Sequence, residues 1–365
     1  MVHFEYIETQ EQLQRAALEW CEEKELAIDL ECENNLHHYG TFISLIQLSS
    51  RSKHWVVDVL VLKEIQLLLD VFLKDTILKV FHDISFDFRI LFMQFKCVPR
   101  YFFDTQVAAL FLGEEKLGLG SLLEKYFQII CEKKFQQMDW TRRPLSKPML
   151  EYASGDTAHL LGLKDVLCDI LRERGRVSWV EEECRYLEGQ DYTLREQEYK
   201  DISGFRSMSV QERAILHVLF DERRKLGRVA DKPLFMIFSN KQMLAFVKNP
   251  PYNVEGWKRL HGVHPLVKEN AVELFRLVEE ARTGGGEEYV VERKEKLAPR
   301  LYELMLELGE RRNVVAKSLG LRGHLLLSEE QMRDMVVGKS FGMLRGWQRE
   351  LWEKEEVVRK VMGVK

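Results

Sequence analysis

Asp29 and Glu31 stand two residues apart in the run Leu26-Ala27-Ile28-Asp29-Leu30-Glu31. Ala27, Ile28 and Leu30 are apolar and short of turn formers, so the run reads as a buried strand. Residues i and i+2 of a strand share a face, which places the two carboxylates side by side. Like charges repel and burial penalises their ionised forms, so a metal cation is the usual compensation. Taken alone, the pair reads as well as a strand end whose acids reach water. Further acids downstream shift that balance.

Residues 80–91 run from strand into helix, with Asp87 in the first helical turn and His82 and Asp83 in the preceding loop. A carboxylate there is favoured by the helix dipole alone. On a helix capped by Ser146, with Pro148 in its first turn, Tyr152 and Asp156 lie four apart and share a face. The phenol and the carboxylate can hold a water between them while the carboxylate binds a metal. A Tyr–Asp pair of no consequence is equally common on helices. Together Asp29, Glu31, Asp87 and Asp156 offer only oxygen, which selects hard ions such as Mg²⁺ or Mn²⁺ over zinc. Two such ions ~4 Å apart activate water and stabilise the leaving oxygen of a phosphodiester.

The elements that must position these groups follow from periodicity. Strands are expected at 3–7, 26–31, 42–48, 54–59 and 77–81, with the third and fourth forming a hairpin. Helices are expected at 62–73, 85–96, 105–112, 120–128 and 146–173. A capping box, Thr9 with Gln12, starts a helix through Trp20. This order gives an α/β fold, a mixed sheet flanked by helices. Residues 1–185 form the first domain, 186–204 a polar linker, 205–283 a compact helical set, 284–294 a flexible break and 295–365 a last helical unit.

The order Asp-x-Glu, then Asp87, then Asp139-Trp140-Thr141-Arg142-Arg143-Pro144-Leu145 and Tyr152-x-x-x-Asp156 resembles ribonuclease D. Leu45-Ile46-Gln47-Leu48 and Asp104-Thr105-Gln106 are similar to that family too. Residues 205–283 resemble the HRDC module, and Leu344-Arg345-Gly346-Trp347-Gln348-Arg349-Glu350-Leu351 is similar to the C-terminal Gly-Trp-Arg-x-Glu-Leu signature of the ribonuclease D family, with Gln348 where Arg is frequent. The departure touches only a peripheral contact. The resemblance implies a ribonuclease H-like sheet followed by two all-α domains, HRDC and HRDC-like. It implies a 3′→5′ exoribonuclease that trims structured RNA such as tRNA precursors and uses two divalent cations. The implied ligands are Asp29, Glu31, Asp87 and Asp156, with Tyr152 orienting the water. In the loop before Asp87, Asp83 stands as a competing ligand.

For substrate contact, His82, Arg143, Trp257, Lys258 and Arg259 are the candidates, set against bracing of the site for Arg143 and core packing for Trp257. His37-His38 lies in a polar loop. Gly118-Leu119-Gly120 lacks the third glycine of a dinucleotide loop and reads as a helix start.

Composition agrees. At 365 residues and 31% charged, the chain is an ordinary globular protein with room for two or three domains. Its six scattered cysteines form no Cys-x-x-Cys pair, which speaks against zinc and disulfides. No membrane-length apolar run and no leader sequence occur, so a cytoplasmic monomer is expected. Residues 1–185 carry 22 basic and 30 acidic side chains, whereas residues 205–283 carry 14 and 9. An acidic front suits cations and a basic back suits a polyanion. A DNA exonuclease using the same acids, and an inactive RNA-binding protein that kept the fold, are the alternatives.

Overall fold

The computed structural model describes residues 3–131, 134–284 and 297–363. The chain divides into two compact units, one of residues 1–31, 43–193 and 295–365, the other of 32–42 and 194–294.

The first unit is built on a six-stranded mixed sheet in the order β1-β4-β3-β2-β5-β6. Chain order begins with β1 (Phe4–Ile7), α1 (Gln10–Glu22), β2 (Glu25–Asn34), β3 (Thr41–Ser49) and β4 (His54–Asp58). It continues through α2 (Gln66–Leu73), β5 (Leu78–Phe81), α3 (Ser85–Phe95), β6 (Phe102–Asp104), α4 (Thr105–Leu112) and α5 (Leu119–Phe127). The helices α6 (Lys147–Ala158), α7 (Leu160–Glu173) and α8 (Val177–Glu188) follow. β3 and β4 pair antiparallel with Gln47 opposite Val56, as the expected hairpin requires. β1 runs parallel to β4, and β5 parallel to both β2 and β6. The Thr9–Gln12 capping box is present.

Several boundaries moved, each for a local reason. The helix expected over 146–173 is interrupted at His159, which caps both α6 and α7. Ser146 holds the N-cap position of α6 without a side-chain cap bond. The three-residue β6 was not anticipated, being too short to show alternation. Nor was α8, whose last turn overlaps the expected linker. Tyr192 keeps the linker's start on the first unit: it is buried, its ring meets Phe88 edge-on at 5.3 Å, and its hydroxyl donates to Leu187 O at 2.7 Å.

In the second unit, α9 (Val210–Ala230), α10 (Leu234–Ile237), α11 (Asn240–Lys248), α12 (Val254–Lys258), α13 (Pro265–Glu269) and α14 (Ala271–Thr283) surround one core. That core includes Leu219, Phe220, Phe238, Met243, Leu274 and Trp257. His38 and the backbone of Tyr39 both pair with Asp231 in this unit, at 2.6 and 3.2 Å. The expected break at 284–294 lies, apart from Gly284, outside the described residues.

The C-terminal helices α15 (Pro299–Leu319), α16 (Gly323–Leu326), α17 (Glu329–Arg333), α18 (Gly346–Trp352) and α19 (Glu356–Met362) do not stand apart as expected. They pack into the first unit. Trp347 stacks on Trp179 at 4.8 Å and meets Phe111 edge-on at 5.2 Å. Glu182 accepts the N–H groups of Gly346 and Trp347. A Cβ on Gly346 would sit 2.9 Å from that carboxylate, which explains the glycine. Gln348 is not peripheral either. It is buried, donates to Leu326 O at 3.2 Å and accepts from Gln331 at 2.9 Å.

Candidate active site

Asp29 and Glu31 project from β2, and helix α6 brings Tyr152 and Asp156 to the same cleft of about 490 Å³. His82, Asp83, Gln106, the start of α5 (Gly118 to Ser121) and Cys131 also line it. Gly118 is the N-cap of α5, a helix start as its sequence suggests, and it faces the acids.

Burial and mutual repulsion govern the four carboxylates. Asp29 is pushed up to about 6, chiefly by burial. Asp156 rises to about 8 through burial and the nearby charge of Asp29, opposed by a hydrogen bond from Tyr152. Glu31 is held well above the carboxylate range by burial, then by Asp29, Asp156 and Asp87. Asp87 is raised likewise by burial, then by Asp29, Asp83 and Asp104. The four acids therefore act on one another across three elements. Among the described residues, no lysine or arginine figures among the charges that act on them. Buried like charges without a cationic partner are costly, and an all-oxygen donor set of this kind fits hard divalent cations. Burial also raises the Tyr152 phenol, with Asp156, Glu31 and Asp29 adding to the shift.

The loop before α3 distinguishes Asp83 from Asp87. Asp83 is exposed with φ +62°, and its backbone N–H donates to Asp104 at 3.1 Å. Asp104 also accepts from Ile84, Gln106 and Val107, so one carboxylate caps α4 and ties down the loop. The hydroxyl of Thr105 donates to Phe81 O at 3.0 Å and lies 2.9 Å from His82 Nδ1. The Asp104-Thr105-Gln106 stretch thus serves as the brace behind Asp87, a role that sequence spacing left unseen.

Tyr152 is packed from the other side. Its ring lies 6.1 Å from Trp140 and 5.5 Å from Phe135. Arg143 holds the Trp140 loop by donating to Trp140 O at 2.7 Å while forking onto the fully buried Asp58 at 2.5 and 2.7 Å. Tyr6 donates to the same carboxylate. Its guanidinium is committed to protein oxygens, so Arg143 braces the fold and is corrected from a substrate contact. Trp257 is corrected too: it is 0% exposed and lies in the core of the second unit, since its indole fills the space among short helices. Lys258 and Arg259 beside it are exposed, and Lys258 pairs with Glu255 at 3.0 Å. Asp58 and Gln136, a hydrogen-bond partner of Tyr152, carry no signal of their own in the sequence, and Asp104 is marked there only by the family resemblance of its stretch. Only its place as the polar end of the apolar run Trp55-Val56-Val57 hints at Asp58.

Comparison with known proteins adds lineage. A family model described as 3′-5′ exonuclease matches residues 4–172, and one described as HRDC domain matches 212–277. The chain is 31% identical over 295 residues to exosome complex exonuclease RRP6 of Saccharomyces cerevisiae, covering 76% of this chain but only 40% of that protein. It is 25% identical over 361 residues to ribonuclease D of Haemophilus influenzae, covering 93% and 89% of the two chains. The crystal structure of Escherichia coli RNase D, described as an exoribonuclease involved in structured RNA processing, is similar with a TM-score of 0.72 over 99% of each chain. At 20% identity that likeness speaks for the fold alone. Among the described residues, no helix is long and apolar enough to cross a membrane.

Proposed function

This chain belongs to the ribonuclease D-like 3′-5′ exonucleases, and from that premise we propose that it trims the 3′ ends of structured RNA, tRNA precursors foremost. The observation that carries the reading is the meeting of Asp29, Glu31 and Asp156 with Tyr152 in one cleft, with Asp87 acting on them from α3.

Asp29, Glu31, Asp87 and Asp156 would hold two divalent cations, Mg²⁺ or Mn²⁺. When bound, these supply water activation and charge neutralisation at the phosphodiester. Tyr152 stays protonated, because burial and the surrounding acids raise its phenol. Its hydroxyl therefore orients the attacking water rather than deprotonating it. Oxygen of that water bonds to phosphorus, the bond to the 3′-oxygen breaks, and the shortened strand leaves with a new 3′-hydroxyl. The released nucleotide carries a 5′-phosphate. His82, whose imidazole burial holds below its usual range, contributes a polar wall to the cleft. The exonuclease domain, residues 1–185, would do the chemistry, and HRDC residues 205–283, with Lys258 and Arg259 exposed, would hold the RNA body through its phosphates.

The test is a time course on a tRNA with a 3′ extension beside single-stranded DNA of equal length, each with and without Mg²⁺. Mg²⁺-dependent shortening of the RNA from its 3′ end is expected. Preferential digestion of the DNA would move the reading to a DNA exonuclease, and no digestion of either to an inactive RNA-binding protein.

A further inference from the structure

Strand β3 carries a buried polar group that the mechanism above does not use. Leu45, Gln47 and Ser49 share one face of β3 by strand alternation. Leu45 packs with Val56, Trp140, Met149 and Ala153, and Ser49 Oγ lies 2.6 Å from Thr157 Oγ1. Ala153 and Thr157 both belong to α6. Gln47 therefore sits beneath the turn of α6 that bears Asp156. Strand β2 is the neighbour of β3 and shows the same face to these helices. Ala27 packs with Leu160 and Leu161, directly beyond α6, and Asp29 follows two residues later on that face.

Gln47 is 0% exposed, and neither Nε2 nor Oε1 has a hydrogen-bond partner among the described residues. Leaving a buried amide group unsatisfied carries the full desolvation penalty of its donor and acceptor. A leucine would fill the same space without that cost, as Leu45 does two residues earlier on the same face. The amide is therefore suited to a partner beyond the surrounding side chains: the hydroxyls of Ser49 and Thr157 on this face pair with each other, and toward β2 the polar groups are the carboxylates of Asp29 and Asp156. Ordered water is the ordinary link between such groups when they do not touch.

We propose that Gln47 is a positioning residue for the acid cluster, its amide N–H donating through a buried water to the Asp29–Asp156 pair and fixing both carboxylates for cation binding. The inference rests on the metal reading given under Proposed function. Donors behind metal ligands typically change metal affinity about 10–100-fold when removed.

The test is calorimetric titration of the full, metal-free chain with Mn²⁺, without RNA, for wild type, Gln47→Leu, Gln47→Met and Asp29→Asn. Thermal unfolding is recorded alongside. Either apolar replacement should unfold no earlier than wild type yet bind Mn²⁺ at least tenfold more weakly, with turnover of RNA falling more than its KM. Two apolar residues of different shape guard against a packing artefact, because a lost donor affects both alike. Mn²⁺ binding within twofold of wild type in either folded variant overturns the role of Gln47 while Asp29→Asn still loses binding. Unchanged binding in Asp29→Asn as well overturns the metal assignment itself.

Discussion

The carboxylate of Asp104 accepts the backbone N–H of Asp83 at 3.1 Å, fixing the loop that leads into Asp87. The bond holds the Asp83 backbone while its side chain stays on the wall of the cleft, and Asp87, in the first turn of α3, is the acid whose charge reaches Glu31. Asp87→Asn should abolish metal-dependent RNA shortening, whereas Asp83→Ala should keep activity within about threefold of wild type, as surface changes ordinarily do. Asp104→Ala should unfold about 1–3 kcal/mol more easily, having orphaned four N–H groups. Loss of activity in Asp83→Ala with retention in Asp87→Asn would reverse the assignment.

The acids also set how stability responds to pH and metal. Asp29 and Asp156 have folded pKa values raised to about 6 and about 8. In the unfolded chain both titrate near 3.9. Between those limits the folded state binds more protons, so metal-free stability falls as pH rises from about 4 to about 8. A divalent cation reverses the penalty, so Mn²⁺ should raise the Tm more at pH 8 than at pH 5.5. A Tm increment independent of pH would mean that the ion binds elsewhere.

Charge removal should separate chemistry from folding. Asp156→Asn removes one charge from a cluster on which, among the described residues, no lysine or arginine is seen to act. The metal-free variant should therefore melt at the same temperature as wild type or slightly higher at pH 8, while RNA shortening disappears. Calorimetric melting and a gel-based RNA assay on one preparation measure both. Earlier melting with surviving activity would contradict the account of this site.

Tyr152→Phe should lower kcat far more than it weakens Mn²⁺ binding, because the proposed role of the hydroxyl is to orient water and the ring still packs on Trp140. A loss of about 10²-fold is of the size seen when a positioned proton-handling group is removed. A defect restricted to the Mn²⁺ isotherm would show instead that the phenol shapes the ligand set.

Much of this arrangement was legible in the residues. Spacing placed Asp29 and Glu31 on one strand face and Tyr152 above Asp156 on one helix, because local periodicity decides which side chains are neighbours. Whether elements converge is decided by contacts distant in sequence, and that is where reading failed. Asp58 and Arg143 are 85 positions apart, and nothing local marks either as the other's partner. Trp257 resembled a surface aromatic amid lysines, yet its position among short helices buries it. The C-terminal helices looked separable because the chain before them is glycine-rich, but Trp179 and Trp347 draw them into the first unit.

The Arg143–Asp58 fork gives the last prediction, since it distinguishes a brace from a phosphate contact. Asp58 is fully buried, and removing its guanidinium partner leaves an uncompensated charge, which costs about 3–5 kcal/mol. Arg143→Ala should therefore lower the denaturant midpoint markedly, with little change in m-value. Lysine keeps the charge but cannot donate the two-pronged bond, so Arg143→Lys should recover only part of the stability. Because the guanidinium meets protein oxygens and not RNA, the salt dependence of KM should be the same in Arg143→Lys and wild type. A phosphate contact would show the opposite pattern, near-native unfolding with a salt slope reduced by about one.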